Sequence, residues 1–473
     1  MRGKPGYRYA HPGYVPEINS REASMPSTVL DSDIFKDMFG SADMRAVFSD
    51  DNLLKCFVEA EVALAIAQGR LGVIPQDAAD AIAKAAPSVP IDRDVLKHEA
   101  ENVGYPILGL VRQLSAKLGE AGRYVHWGAT TQDIVDTATV LQIRAALDIV
   151  ERDMAAVSAA LQKLAEKHRD TAMPGRTHLQ QALPITFGYK CAIWLAAMDR
   201  HAIRLRELKP RVLVAQLGGA AGTLASLGDN GLDVRREFAR ELKLGDPPIT
   251  WHVARDAVVE TVNFLGLVTG TLGKIGFDIM LMMMTELGEA FEPFASHRGA
   301  SSTMPQKRNP ISSEILVANA KAVRQHAGLM LDAMIQDFER ATGPWHVEWM
   351  AVPESFILTA GSLAQAKFML EGLVVDAARM RRNLDMTRGL IVAEAVMMGL
   401  APHLGRQQAH DMVYEACRAA LAENRSLFDV LIANPAVSAA LDEQRLRALC
   451  DPANYLGSAP QMTDSVVWAS RPA

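Results

Sequence analysis

Four stretches of this sequence run for many helical turns without a proline, and that limits the folds open to it more than any other feature. From Gln132 to His168 there is neither proline nor glycine. Apolar residues recur there as Ile134, Ala138, Leu141 and Ala145, then Val150, Met154, Val157, Leu161 and Leu164. Steps of mostly three and four residues put them on one face of an α-helix. Proline-free stretches also run from Ile185 to Lys209, Ile249 to Glu292 and Ile311 to Gly343. All are far longer than the usual helix, so the spacing predicts a bundle of long, nearly straight helices. Aromatic residues make up only 6% of the chain, and alternating runs joined by hairpin turns are hard to find. The fold class is read as all-α.

At 473 residues the chain exceeds one ordinary core, and the pattern divides it in three. Residues 1–125 hold shorter helical pieces, one of them opening at "SDDNLLKCFVEAEVALAIA" behind a Ser-Asp cap. Residues 126–373 carry the long helices, and residues 374–473 form a small helical domain ending in the turn-rich "DPANYLGSAPQMTD". The N-terminal "MRGKPGYRYAHPGYVP" lacks the apolar core of a signal peptide and reads as an arm, flexible or draped over a partner. The run "IGFDIMLMMMTELGEAF" carries Asp278, Glu286 and Glu289, so its uncharged part is too short to span a bilayer and no membrane partner is expected. The overlapping "GLVTGTLGKIGFDIMLMMM" is apolar around most of its circumference, more than one neighbour covers, which predicts subunit association. A net charge of −6 with a pI near 6.1 argues against a nucleic-acid partner. Cys56, Cys191, Cys417 and Cys450 are scattered without CxxC spacing. They read as reduced thiols of a cytoplasmic protein rather than a disulfide framework or a zinc knuckle.

Four places could carry chemistry. The loop "GASSTMPQKRNP", residues 299–310, puts Ser301 and Ser302 close to Lys307, Arg308 and Asn309. Pro305 and Pro310 stiffen it and Gly299 permits a hinge. It suits a lid that closes on a carboxylate, and it would equally make a solvated basic loop. In "HWGATTQDIVDTA", Thr130 and Thr131 stand where the Gln132 helix begins, so their hydroxyls and the helix N-terminus could complete a carboxylate site. Plain capping, with Asp133 and Asp136 complementing the dipole, is the alternative. In "GRTHLQQALPITFG", Thr177 and His178 precede a helical segment, with Gln180 close by, and a histidine is a natural proton donor to a leaving group. Glu314, just past the loop in "NPISSE", could orient such a histidine or simply favour the helix dipole. The glycine-rich "LGGAAGTLASLG" lies between helices, unlike a nucleotide-binding loop. His403 and His410 lack metal-ligand spacing, so no metal is expected.

These stretches, in this order, resemble the fumarase/aspartase superfamily. Its signature loop, GSSxMPxKxNP, matches Ala300 to Pro310, with Ala300 in place of the glycine. The resemblance spans nearly the whole chain. It implies three all-α domains, the central one a five-helix bundle, and a homotetramer whose four bundles form a twenty-helix core. Each active site of that family draws on three subunits. Carried over by position, Ser301 is the base that removes a proton beside a substrate carboxylate. Lys307, Asn309, Thr130 and Thr131 stabilise the dianionic aci-carboxylate so formed. His178 protonates the leaving group, with Glu314 as its charge partner. Thr177, Gln132, Asn102 and Gln216 fall where the family contacts its dicarboxylate substrate, and Arg340 is a further side chain that could read the leaving group. No cofactor is implied.

Within that family, "HWGATTQDIVDTA", "LQQALPITFG", "GGAAGTLASL" and "LGRQQAHD" are similar to bacterial 3-carboxy-cis,cis-muconate cycloisomerases, cousins of adenylosuccinate lyases. Typical cycloisomerases carry tryptophan at the position of His178. Adenylosuccinate lyases carry a His-Asp pair near Asn102 and Val103, absent here. The expectation is therefore a cofactor-independent lyase that eliminates fumarate from an N-substituted aspartate or related succinyl compound. The alternatives are a lactonising cycloisomerase and, more remotely, a structural protein on the same scaffold.

Overall fold

The computed structural model describes residues 27–294, 298–301 and 303–471. The N-terminal arm over residues 1–26 and the second loop serine, Ser302, lie outside the described residues. The chain is predominantly helical. Helices Asp50–Arg70 (α1) and Arg93–Val103 (α2) belong to the N-terminal region. Five longer helices follow, Thr131–Lys167 (α3), Phe187–Val212 (α4), Asp256–Met282 (α5), Ile311–Ala333 (α6) and Pro344–Glu371 (α7). The helix Ala377–Asp385 (α8) opens the C-terminal region. Two short antiparallel pairs interrupt the helices: Ala172–Thr177 (β1) with Gln180–Thr186 (β2), and Ala290–Phe291 (β3) with Val374–Val375 (β4).

Three of the long helices, α3, α5 and α6, run where the sequence has no internal proline, whereas α4 carries Pro210 near its end and α7 continues through Pro353; all five pack side by side. α5 lies against α4, α6 and α7, and α3 lies against α4 and α7. Leu265, Val268, Leu272, Ile275 and Ile279 of α5 are wholly buried on the inner face. α5 is long and apolar enough to cross a membrane by those two criteria, but here it forms the centre of the helix packing. Its outer stripe remains uncovered, with Leu267 and Phe277 each 52% exposed. Ile193 and Ile203 of α4 and Leu331 of α6 are exposed as well. A stripe of large apolar side chains open to water is costly, and a neighbouring chain would cover it.

A second core joins Phe57 and Leu64 of α1 to Ile134 and Leu141 at the start of α3. It also takes in Val234 and Phe238 from the helix Gly231–Glu241, so the N-terminal packing reaches well past residue 125. A separate cluster of Leu400, Leu427, Leu431 and Leu446 holds the C-terminal region.

The start of α3 carries two fully buried carboxylates, Asp133 and Asp136. Asp136 takes both guanidinium Nη groups of Arg255, at 2.8 and 2.9 Å, and the indole N–H of Trp345 at 2.9 Å. Arg255 also donates its Nε to Glu348 at 2.8 Å and lies over the Trp251 ring. Asp136, Arg255 and Glu348 are tolerated this deep because the planar guanidinium gives two donors to each carboxylate. The network fixes α3, the start of α5 and the start of α7 against one another.

Two outcomes follow from this packing. Arg255→Met removes the one cation that the buried carboxylates Asp136 and Glu348 share and is expected to destabilise the fold by about 3–5 kcal/mol, read as a lowered midpoint in denaturant unfolding. The chain is expected to sediment well above the 51.4 kDa of one copy, and Phe277→Asp to shift it toward the single-chain mass. Sedimentation of the unsubstituted chain as a monomer would mean the stripe has no partner.

Candidate functional site

The predicted site residues fall at three places in one chain. The first is the start of α3. Thr130 is its N-cap and donates its backbone N–H to Asp133 Oδ2 at 2.9 Å. The same carboxylate accepts from the N–H groups of Gly218 and Gly219, each at 2.9 Å, and lies 2.7 Å from His252 Nε2. The glycine-rich "LGGAAG" stretch is thus a cradle for a buried carboxylate of the protein itself. A Cβ at Gly218 would come 2.7 Å from Thr250 Oγ1, so a side chain there would crowd the backbone where it closes on Asp133. The N-cap geometry fixes where Thr130 and Thr131 stand, and both are half-buried. Arg340 donates its Nη1 to Thr130 Oγ1 at 3.0 Å, so a cation stands beside this hydroxyl.

Gln132 and Gln216 are engaged elsewhere. Gln132 is 1% exposed and donates its amide to the His252 carbonyl at 2.8 Å. Gln216 is fully buried, donates to Thr250 Oγ1 at 2.7 Å and accepts from the Trp251 N–H at 3.1 Å. Both amides hold the segment 250–252 in place. Asn102 sits near the exposed end of α2 with its amide 3.2 Å from His98 Nε2.

Beside this helix start lies a pair that sequence reasoning missed. His126 Nδ1 is 2.6 Å from Glu61 Oε1 of α1, and Gln68 of the same helix donates to the Trp127 carbonyl at 2.6 Å. Burial disfavours the charged imidazole, but the Glu61 carboxylate, by charge and hydrogen bond, and the more distant Asp133 outweigh it and raise the pKa. The only sequence signal was the His-Trp dipeptide just ahead of "GATT".

The second place is the β1–β2 hairpin, where the expectation of a loop leading straight into a helix is corrected. Thr177 pairs with Gln180, leaving His178 and Leu179 as a two-residue turn with φ of 50° and 63°. Both left-handed residues match the type I′ turns that suit strand twist, though neither is the usual asparagine or glycine. Pro174 opposite Pro184, and a bulge at Gly175/Arg176, hid the strands from the sequence. Thr177 and His178 are exposed at the tip, and Leu179 is 84% exposed.

The third is the signature loop. Asn309 N–H donates to the Gly299 carbonyl at 2.9 Å, and a bridge joins Ala300 to Arg308, closing the loop at its base. Gly299 has φ of +69°, and a Cβ there would fall 2.4 Å from the Asn309 carbonyl oxygen. Arg308 donates to the Glu292 carbonyl at 3.2 Å and lies over Phe294, so it anchors the loop although part of it is exposed; Lys307 beside it is exposed as well. Ser301 Oγ accepts the Met304 N–H at 3.1 Å. A hydroxyl oxygen that receives a backbone donor is easier to hold as an alkoxide, as a serine base requires. Glu314 is exposed on the first turn of α6. Among the described residues, four other histidines stand 2.6–3.0 Å from a carboxylate, and His178 and Glu314 do not meet within the chain.

Comparison with known proteins matches residues 39–324 to the family described as Lyase and residues 389–466 to the adenylosuccinate lyase C-terminus. Trans-aconitate decarboxylase 1 of Mycosarcoma maydis is 50% identical over 92% of this chain and 88% of its own length. The 3-carboxy-cis,cis-muconate cycloisomerase of Pseudomonas aeruginosa is 47% identical over 92% of this chain and 95% of that protein. The N-acetyl-S-(2-succino)cysteine lyase of Dickeya dadantii is 43% identical over 94% and 98%. A fumarate lyase crystal structure from Mesorhizobium sp. BNC1 superposes with a TM-score of 0.87 at 59% identity, covering 92% of this chain and 99% of that one.

The raised pKa of His126 sets a sign that can be measured. The His126–Glu61 pair contributes its stability in full below the ordinary histidine value of ~6.5 and loses it as pH rises through the higher folded value. Glu61→Gln is expected to bring the imidazole midpoint down, followed by NMR titration; an unchanged midpoint would remove Glu61 as the cause. Gly299→Ala should open the loop base, seen as faster amide exchange at Asn309.

Proposed function

The chain belongs to the fumarase/aspartase superfamily of lyases, and from that premise we propose that it is a cofactor-independent enzyme that eliminates fumarate from an N-substituted aspartate or related succinyl compound. The observation that carries this reading is the pairing of an outward-facing histidine on a fixed turn with a closed loop that presents a hydrogen-bonded serine and a lysine. Ser301 Oγ removes the proton from the carbon next to one carboxylate. The electron pair collects on that carboxylate as an aci-dianion, which Lys307, Asn309 and the hydroxyls of Thr130 and Thr131 stabilise. The bond to the leaving group then breaks, the double bond of fumarate forms, and His178, oriented by Glu314, supplies the proton the leaving group needs. Arg340, 3.0 Å from Thr130 Oγ1, stands where it can bind a second carboxylate or the leaving group.

The site is completed between copies of the chain. His178 and Glu314 do not meet in one chain, and the exposed stripe on α5 and the 84% exposed Leu179 suit contacts across subunits. A homotetramer with a shared helical core fits these observations. The relatives named for a 2-succino thioether and for fumarate support elimination from a succinyl group. The 47% identical muconate cycloisomerase favours the second reading, lactone formation from a carboxymuconate, about as strongly. Related carbanion chemistry run in reverse serves both.

Ser301→Ala is expected to lower turnover by about 100-fold or more while the assembly keeps its mass, with Ser302→Ala as the comparison. His178→Asn should cost most with an amine leaving group and least with a thiolate, which departs unprotonated more readily. The assay is proton NMR with adenylosuccinate, argininosuccinate, other N-substituted aspartates, an S-(2-succino) thioether and 3-carboxymuconate. Lactone from carboxymuconate alone would overturn the lyase reading, and full activity of His178→Asn on an amine substrate would remove the acid.

A further inference from the structure

The hairpin that carries His178 is two strands with a strained tip, and a lone two-stranded ribbon holds its direction poorly. Its grip comes from outside it. Arg176 and Gln181 face each other across the strands, one pair below the turn. Arg176 donates both Nη groups to Glu289, at 2.8 and 2.6 Å. Gln181 donates to the Asn383 carbonyl of α8 at 3.0 Å, and Asn383 donates its own amide to Glu289 Oε1 at 2.7 Å. Both strands are therefore held by one Glu289–Asn383 unit, whose carboxylate is fully buried.

Three residues further on, Glu292 holds the other machinery. Its carboxylate accepts the N–H groups of Ser312 and Ser313 at 3.1 and 2.8 Å, capping the helix that bears Glu314. Its carbonyl accepts Arg308 of the serine loop. Between the two glutamates, β3 is fixed to β4 by Ala290 and Phe291. Apolar packing would hold two elements together at less desolvation cost than a buried carboxylate. What a fork-to-fork pair adds is direction.

We propose that Glu289–Glu292 is a common anchor for the acid hairpin and the base loop, and that Glu289 is a positioning residue that aims His178. This rests on the reading of His178 as the acid. A shift of the hairpin tip by about 1 Å can cost 100-fold in rate, so loss of the clamp acts on kcat through His178 and leaves KM nearly unchanged.

The test is a double-mutant cycle with fumarate release as the readout. The probes are an N-substituted aspartate and an S-(2-succino) thioether, the second giving a measurable rate without the acid. Glu289→Gln is expected to lower kcat about 10- to 100-fold in the wild-type background and to cost almost nothing in the His178→Asn background. Gln181→Ala, at a half-buried position, repeats the cycle with a smaller loss should Glu289→Gln fail to fold. Equal losses in both backgrounds would show a merely structural clamp and overturn the proposal. A His178→Asn variant that is neutral on the N-substituted aspartate would overturn the acid assignment itself, a separate failure.

Discussion

The placement of the threonine pair at the candidate site depends on the buried charges at the start of α3. Asp133 and Asp136 lie one turn apart, with no access to water. A bare carboxylate there would cost several kcal/mol, so each gathers donors from distant parts of the chain. Asp133 draws in the loop at Gly218–Gly219 and His252, and Asp136 draws in Arg255 and Trp345. These demands lock three long helices at one end and set the N-cap where Thr130 and Thr131 stand. The hydroxyls expected to meet a substrate carboxylate are placed by ion pairs that never touch it.

The same economy recurs at the other two places. A buried glutamate caps α6 and ties down the serine loop, and another grips the histidine hairpin. His178, Lys307 and Glu314 are exposed and lie outside these buried pairs. That division, buried ions for placement and exposed ions for chemistry, suits the proposed elimination from a succinyl dianion.

Much of this was legible in the sequence. Four of the five long helices could be read because proline is absent from their stretches; α7 was not among them, since Pro353 interrupts its pattern and only packing against α3, α5 and α6 keeps it helical. The serine loop could be read because no apolar period runs through it. The hairpin could not, since Pro174, Gly175 and Pro184 are poor strand residues and only tertiary contacts keep them extended. Asp133 and Asp136 looked like ordinary dipole partners because burial is not visible in a helix-start motif. Gln132 and Gln216 entered as substrate contacts through the resemblance, and their burial, with amides bonded to segment 250–252, is likewise invisible in the sequence. The pair of Glu61 with His126 is separated by 65 positions, and no local pattern announces it.

The account stands on the acid and the base of one active centre coming from different copies of the chain. The direct test mixes Ser301→Ala and His178→Asn protein, each inactive on an N-substituted aspartate, under conditions that let subunits exchange. The account predicts that fumarate production appears in the mixture, because some mixed sites receive an intact serine and an intact histidine from separate chains. Verified subunit exchange with no recovery of activity would contradict it and place both groups in a site built from a single chain.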